Sequence, residues 1–292
     1  MVAASECRYL YWLVRETYVG KGAVVEVGTW LGRSALHLAA GLRDAGLGGT
    51  LYCFDRFRWQ GRRPVSLDLA LGDDTLPLVR DALLPVYPNV VITATEIKDL
   101  RWRREPIEIL FLDAPKAHRP FVKCLREFGP SLQPGVSVII SQDFAYPRAF
   151  AQALCLGRLE DHVELVHVAE NLAAFLVKKA LPEPDRLKAL LDPRTFTARE
   201  SLRIWEGILE RIEPERTRRR MRPGICFHLY EIGERRLACR LIREMEFRPR
   251  MTRLWAEWAA TPEIFQRYSR LFTALGMEPE RRRSRWFWRG QN

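Results

Sequence analysis

Two short apolar runs, 163–169 and 172–178, are joined only by Glu170-Asn171, and this pair constrains the fold more than any other feature. A parallel crossover needs a dozen or more residues, so these two strands must lie antiparallel. Five earlier apolar runs, at 23–27, 50–54, 89–93, 107–112 and 136–141, are separated by helical stretches at 34–45, 76–84 and 121–128. Strands alternating with helices form a parallel sheet covered on both faces. The expectation is an α/β chain with a seven-stranded, mostly parallel sheet whose last strand runs backwards.

A helix is expected before the sheet at 5–18, with Leu10, Leu13 and Val14 on one face, and another near 148–156. Leu181-Pro-Glu-Pro-Asp185 reads as a linker. Beyond it strand signals fade, and helices are expected at 198–212, 225–232, 234–245, 251–260 and 262–275. This divides the chain into 1–180 and a C-terminal α-helical region, 181–292. Residues 227–243 resemble one tetratricopeptide-type hairpin. Without a second copy, ordinary helical packing is the better reading.

Composition narrows the function classes. The 292 residues are 47% apolar and 28% charged, as in globular proteins, which excludes collagenous, coiled-coil and disordered chains. No run of about 18 apolar residues suggests a membrane span. Six cysteines (Cys7, Cys53, Cys124, Cys155, Cys226 and Cys239) form no CxxC pair, and with no signal pattern at the N-terminus they point to a cytoplasmic protein. The net charge of +11 is uneven: residues 1–180 carry +2 and residues 181–292 carry +9. Such a basic region can steer acidic partners.

The chemistry is concentrated at strand ends. In Val24-Val-Glu-Val-Gly-Thr-Trp-Leu-Gly-Arg-Ser34, a buried strand runs through Gly28 and Gly32 into a helix, so a ligand can approach the main chain. The spacing is not GxGxxG, and Glu26 would repel a pyrophosphate, so a dinucleotide is disfavoured. A ligand with an amino group and a cationic centre would tolerate Glu26. Two further acids, Asp113 in Ile109-Leu-Phe-Leu-Asp-Ala-Pro-Lys-Ala-His118 and Asp143 after Val138-Ile-Ile-Ser-Gln142, close the fourth and fifth strands, where open sheets bind ligands.

The stretch around Gly28 resembles motif I of class I S-adenosylmethionine-dependent methyltransferases, a Rossmann-like fold with an antiparallel seventh strand. The resemblance covers about 5–180. It implies that Glu26, Gly28, Thr29, Gly32 and Ser34 serve the methionine end of S-adenosylmethionine, that Asp55 accepts hydrogen bonds from the ribose, and that Thr95 and Glu96 lie beside adenine. Asp113 would also reach the cofactor side. Asp-x-x-Lys followed by the later Asp is similar to the catechol and caffeoyl-CoA O-methyltransferases, and the pattern also resembles sugar and macrolide O-methyltransferases. That likeness implies that Asp113 and Asp143 bind Mg2+ or another divalent cation, and that Lys116 is a base for a hydroxyl proton. A cation would push Lys116 toward its neutral form. Phe144 stands where those families place a further acidic or amide ligand, so His118 or Gln142 would have to complete a metal site; metal-independent transfer stays open.

The expected activity is therefore O-methylation of a small-molecule or saccharide acceptor, and the sequence also admits a homodimer. Asp113-Ala-Pro-Lys116 lacks the cysteine that RNA cytosine-5 methyltransferases need. Two alternatives stay open. The first is an RNA-directed methyltransferase that uses Arg216–Arg222 and the Arg-rich, Trp-containing 281–289. The second is a non-catalytic module that binds a partner. The stretch 56–71, with Arg56, Arg58, Trp59, Gly61, Arg62 and Arg63, reads as a loop bordering the site.

Overall fold

The computed structural model describes residues 2–61, 68–103, 105–146, 149–245 and 266–274. Seven strands, β1 (Ala23–Val27), β2 (Leu51–Asp55), β3 (Val90–Ala94), β4 (Ile107–Leu112), β5 (Val138–Ser141), β6 (Val163–Ala169) and β7 (Leu172–Val177), form one sheet in the order β3-β2-β1-β4-β5-β7-β6. The pairs among β1 to β5 are parallel, while β7 runs antiparallel to both β5 and β6. The seventh strand thus enters between the fifth and sixth, which a two-residue link allows.

β1 and β4 lie at the centre, and every residue of both is buried. That explains their runs of apolar residues, interrupted only by Glu26 and Glu108, since a strand covered on both faces gains nothing from alternation. Each large aliphatic side chain buried there contributes roughly 1.5–3 kcal/mol.

The helices before the sheet's midpoint are α1 (Ala4–Thr17), α2 (Arg33–Ala45) and α3 (Leu76–Leu83). α1 buries Cys7, Leu10, Leu13 and Val14, spaced three and four apart, and α2 buries Ala35, Leu38, Ala39 and Leu42. With Val24, Ile109 and Phe111 these side chains make the apolar cluster on one face of the sheet. The other face carries α4 (His118–Phe128) and α5 (Phe150–Arg158).

The C-terminal region adds α6 (Pro184–Leu190), α7 (Ala198–Glu210), α8 (Glu215–Met221), α9 (Gly224–Glu231), α10 (Arg235–Glu244) and α11 (Ser269–Ala274). Its Trp205, Phe227 and Phe272 belong to the same apolar cluster as Leu110, Phe128 and Phe175 of the sheet side. Seven of the eight residues of α9 are buried, and α9 and α10 turn back on each other through Gly233 at φ +96°. His228 in α9 meets the Ser201 hydroxyl at 2.9 Å, and burial lowers its pKa to about 3, so it packs as a neutral ring.

One expectation needs correction. The stretch 181–185 is not a plain linker: α6 begins at Pro184, with its Leu187 buried. Proline breaks a helix interior but suits its first position, where the missing N–H has no partner to lose. The helix α8 was not expected either, because its arginine-rich sequence shows little apolar period. The helix expected at 251–260 lies outside the described residues, as do 262–265 and 275 of the one expected at 262–275. Among the described residues no helix is long and apolar enough to cross a membrane.

Candidate functional site

The carboxyl ends of β1, β2, β3 and β4 border a cleft of about 640 Å³, within the usual size for a small-molecule site. Gly28, Asp55, Thr95, Glu96, Asp113 and Lys116, all singled out from the sequence, line it. Glu26, Thr29, Gly32 and Ser34 do not line it and are buried.

The loop after β1 is shaped by two glycines. Gly28 has φ +106°, and a Cβ there would sit 2.5 Å from the Ala114 nitrogen, so the loop can pass under the end of β4 only without a side chain. Gly32 caps α2 at φ +82°. Between them Trp30 takes φ +47°, unfavourable for an L residue, and Phe57 after β2 does the same at +50°. Asp55 holds both: Trp30 N–H donates to its Oδ2 at 3.0 Å and Phe57 N–H to its Oδ1 at 2.8 Å.

Trp30 stacks on Trp59, with ring centroids 5.8 Å apart and planes 10° from parallel. Trp59 is itself anchored, its N–H donating to Asp73 O and its carbonyl accepting from Gly72 N–H, both at 2.9 Å. The two rings thus wall one side of the cleft, and Ile97 and Leu100 supply apolar surface. The sequence reading missed this wall: Trp30 sat between two glycines, and Trp59 was noted only within a basic loop. Arg56 lines the cleft; Arg62 and Arg63 lie outside the described residues.

Glu26 is fully buried, with neither carboxylate oxygen in a hydrogen bond. Burial pushes its pKa up to about 7; the nearby Ser34 and Thr29 hydroxyls pull it down without reaching hydrogen-bond geometry, and Asp113 and Asp55 raise it further. The folded protein therefore keeps this proton where the unfolded chain has released it. Stability from this group is full below about pH 4.5 and is lost as pH rises through about 7. Glu26→Gln should gain on the wild type by on the order of 3 kcal/mol between pH 4.5 and 8. Urea unfolding at the two pH values measures this, and an unchanged difference would remove the raised pKa.

At the other end of the cleft, Lys116 forms an ion pair with Asp113 at 3.3 Å and a shorter one with Asp143. Burial works against its charge, but the two carboxylates outweigh that and raise its pKa. In this arrangement the two carboxylates favour the ammonium form of Lys116. Burial also raises Asp113, with Lys116 opposing and Asp143 adding to the rise. Asp143 stands at φ +60° just past β5.

The donor set does not fit a divalent cation. The ammonium already bridges the two carboxylates. Phe144 is buried and packs on Phe175, so the residue after Asp143 faces the core. Gln142 turns toward α1, donating to Glu6 Oε2 at 3.2 Å. His118 lies beside the α6 end, near Leu191 and Asp192, with its pKa lowered by burial. Among the described residues no three His, Cys, Asp or Glu side chains are placed to hold a metal.

The seven-stranded, mostly parallel sheet with its antiparallel seventh strand is the one expected, and residues 25–142 match the family described as a methyltransferase domain. Over that stretch the chain is similar to a methyltransferase domain. Solved structures similar to it include the O-methyltransferase NovP, with 19% identity over 60% of this chain and 80% of that one and a TM-score of 0.44. TomG, an O-methyltransferase from Streptomyces achromogenes, shows 17% identity over 61% and 82%, with a TM-score of 0.41. The Podospora anserina methyltransferase PaMTH1 shows 15% identity over 61% and 80%, with a TM-score of 0.44.

The cleft suits S-adenosylmethionine chemically. A carboxylate stands at the β2 end for ribose hydroxyls, apolar Ile97 and Leu100 flank the β3 side, and orphaned Glu26 lies beneath the loop. The basic cluster 216–222 is largely engaged within the chain: Arg218 and Arg219 pair with Glu215, and Arg220 donates to two loop carbonyls. The cluster 281–289 lies outside the described residues.

Proposed function

We infer that this protein transfers a methyl group from S-adenosylmethionine to a hydroxyl of a small polyhydroxy or phenolic molecule, or of a saccharide. One observation carries the reading: the acid–ammonium trio Asp113, Lys116 and Asp143 adjoins the same cleft as Gly28 and Asp55. A nucleoside-binding end and a proton-handling end thus meet across one small space.

When bound, the cofactor supplies an electrophilic methyl on a sulfonium. Asp55 would hold the ribose, the Gly28 loop the methionine part, and Thr95, Glu96 and Ile97 the adenine side. Asp143 is the group that takes up the acceptor's hydroxyl proton, because an ammonium has no lone pair for it. Lys116 stays charged and orients Asp143, and Asp113 holds Lys116 from the other side. Most of the rate would come from holding acceptor and donor in line. No step is routed through a divalent cation.

Calorimetry with S-adenosylhomocysteine tests the cofactor end, and binding is expected. A panel of a catechol, a flavonoid and a methyl glycoside, each run with and without EDTA, tests the acceptor end. Methylation of a hydroxyl at equal rates with and without EDTA is expected. A rate abolished by EDTA and restored by Mg2+ would reinstate the metal, and no binding of S-adenosylhomocysteine would remove the reading altogether.

A further inference from the structure

Asp143 occupies a loop, 142–146, whose shape depends on more than its own residues. Its φ of +60° is left-handed backbone, which Asp tolerates better than most L residues and which is kept where neighbours hold it. Two elements distant in sequence do so.

From one side comes Glu6 of α1, only 1% exposed. Its Oε2 accepts from Gln142 Nε2 at 3.2 Å and from Ala3 N–H at 2.6 Å, and its Oε1 accepts from Asn171 N–H at 3.1 Å. From the other side comes Arg220 of α8. Its Nε donates to Ala145 O at 3.0 Å and its Nη2 to Glu170 O at 2.8 Å. Within the loop, Ala145 N–H donates to Asn171 O at 3.2 Å and Tyr146 N–H to Asp143 O at 2.8 Å. Glu170, itself at φ +54°, accepts from the Ser5 hydroxyl.

One planar guanidinium therefore ties the loop after β5 to the β6–β7 turn. A fixed fork of donors suits two carbonyls on separate segments, and a lysine ammonium offers no such geometry. Arg220 lies well beyond the residues matched by the methyltransferase family, yet it lands two residues from Asp143.

We propose that Arg220 is a positioning residue for the reaction: through the Ala145 and Glu170 carbonyls, the C-terminal helical region sets the loop that presents Asp143. This rests on the reading of Asp143 given above, and it makes residues after 181 a working part of the site. Glu6 is the opposing jaw.

The test uses the full chain as wild type, Arg220→Ala, Arg220→Lys and, as a control on the same helix, Arg219→Ala. Hydrogen exchange read by mass spectrometry should show amides of 142–146 exchanging at least tenfold faster in Arg220→Ala. Arg220→Lys should recover part of that protection, and Arg219→Ala all of it. Protection of β1 and β4 and the affinity for S-adenosylhomocysteine should stay within twofold. On the acceptor found by the panel, kcat should fall at least tenfold with the cofactor KM unchanged. Wild-type exchange of the loop in Arg220→Ala, or equal loss of protection across β1 and β4, overturns the proposal. So does an open loop with unaltered kcat. If Arg220→Ala does not fold, Arg220→Lys decides, because full protection and full kcat in that variant would show that the fork is not needed. A wild-type chain that methylates no acceptor while Arg220→Ala still opens the loop would instead remove the methyl-transfer reading of Asp143.

Discussion

Asp55→Ala should weaken binding of S-adenosylhomocysteine by about a hundredfold or more. Hydrogen bonds to a charged acceptor are worth about 1.5–3 kcal/mol each, and the ribose hydroxyls would lose two of them. The same carboxylate also accepts from Trp30 and Phe57 N–H, the two residues held at positive φ in the loops after β1 and β2. Its removal should therefore loosen the Trp30–Trp59 wall as well and destabilise the fold by roughly 1–3 kcal/mol. Asp55→Asn keeps one acceptor and should lose only about tenfold in affinity. Calorimetry and urea unfolding of both variants measure these effects. Unchanged affinity in Asp55→Ala would contradict the ribose role, and unchanged stability would contradict its hold on the two loops.

Lys116→Met should lower turnover by roughly 10²–10⁴ while leaving affinity for S-adenosylhomocysteine within a few-fold. Without the ammonium, Asp113 and Asp143 face each other unpaired, and their repulsion favours protonation of one of them. A protonated Asp143 cannot accept the hydroxyl proton. The variant's rate should therefore recover in part as pH rises and the carboxylates ionise. Stability supplies an independent check. The carboxylates raise the Lys116 pKa above its ordinary 10.5, so its contribution is present below that value and is lost as pH climbs through the raised one. The stability gap between wild type and Lys116→Met should narrow in that alkaline range. A normal rate on the true acceptor would remove Lys116 from the reaction, whatever the stability result.

The two outcomes separate the halves of the cleft: the first variant should lose binding and the second should lose chemistry. A chain in which both variants lost binding alone would use the cleft for recognition rather than transfer.

Much of this architecture was legible before any coordinates. Apolar runs of five or six residues declare buried strands, and the two-residue link at Glu170-Asn171 permits a single relative direction, so sheet type followed from local chemistry and chain length. Gly28 and Gly32 marked the loop because the tight turns there need left-handed backbone. Asp55, Asp113 and Asp143 stood out because each follows a strand, and strand ends in such sheets converge on one rim. These are short-range facts, and a sequence states them directly.

Tertiary structure decided which of those groups meet. Lys116 lies between Asp113 and Asp143, and Phe144 is turned into the core, so the trio's pairing was settled by how the loops after β4 and β5 meet. Trp30 stacks on Trp59 only because Asp55 pins the loop on each side. Glu6 and Arg220, 214 positions apart, reach the same loop. Contacts of that span arise from how helices pack on the sheet, and packing is a property of the whole core that no local pattern encodes.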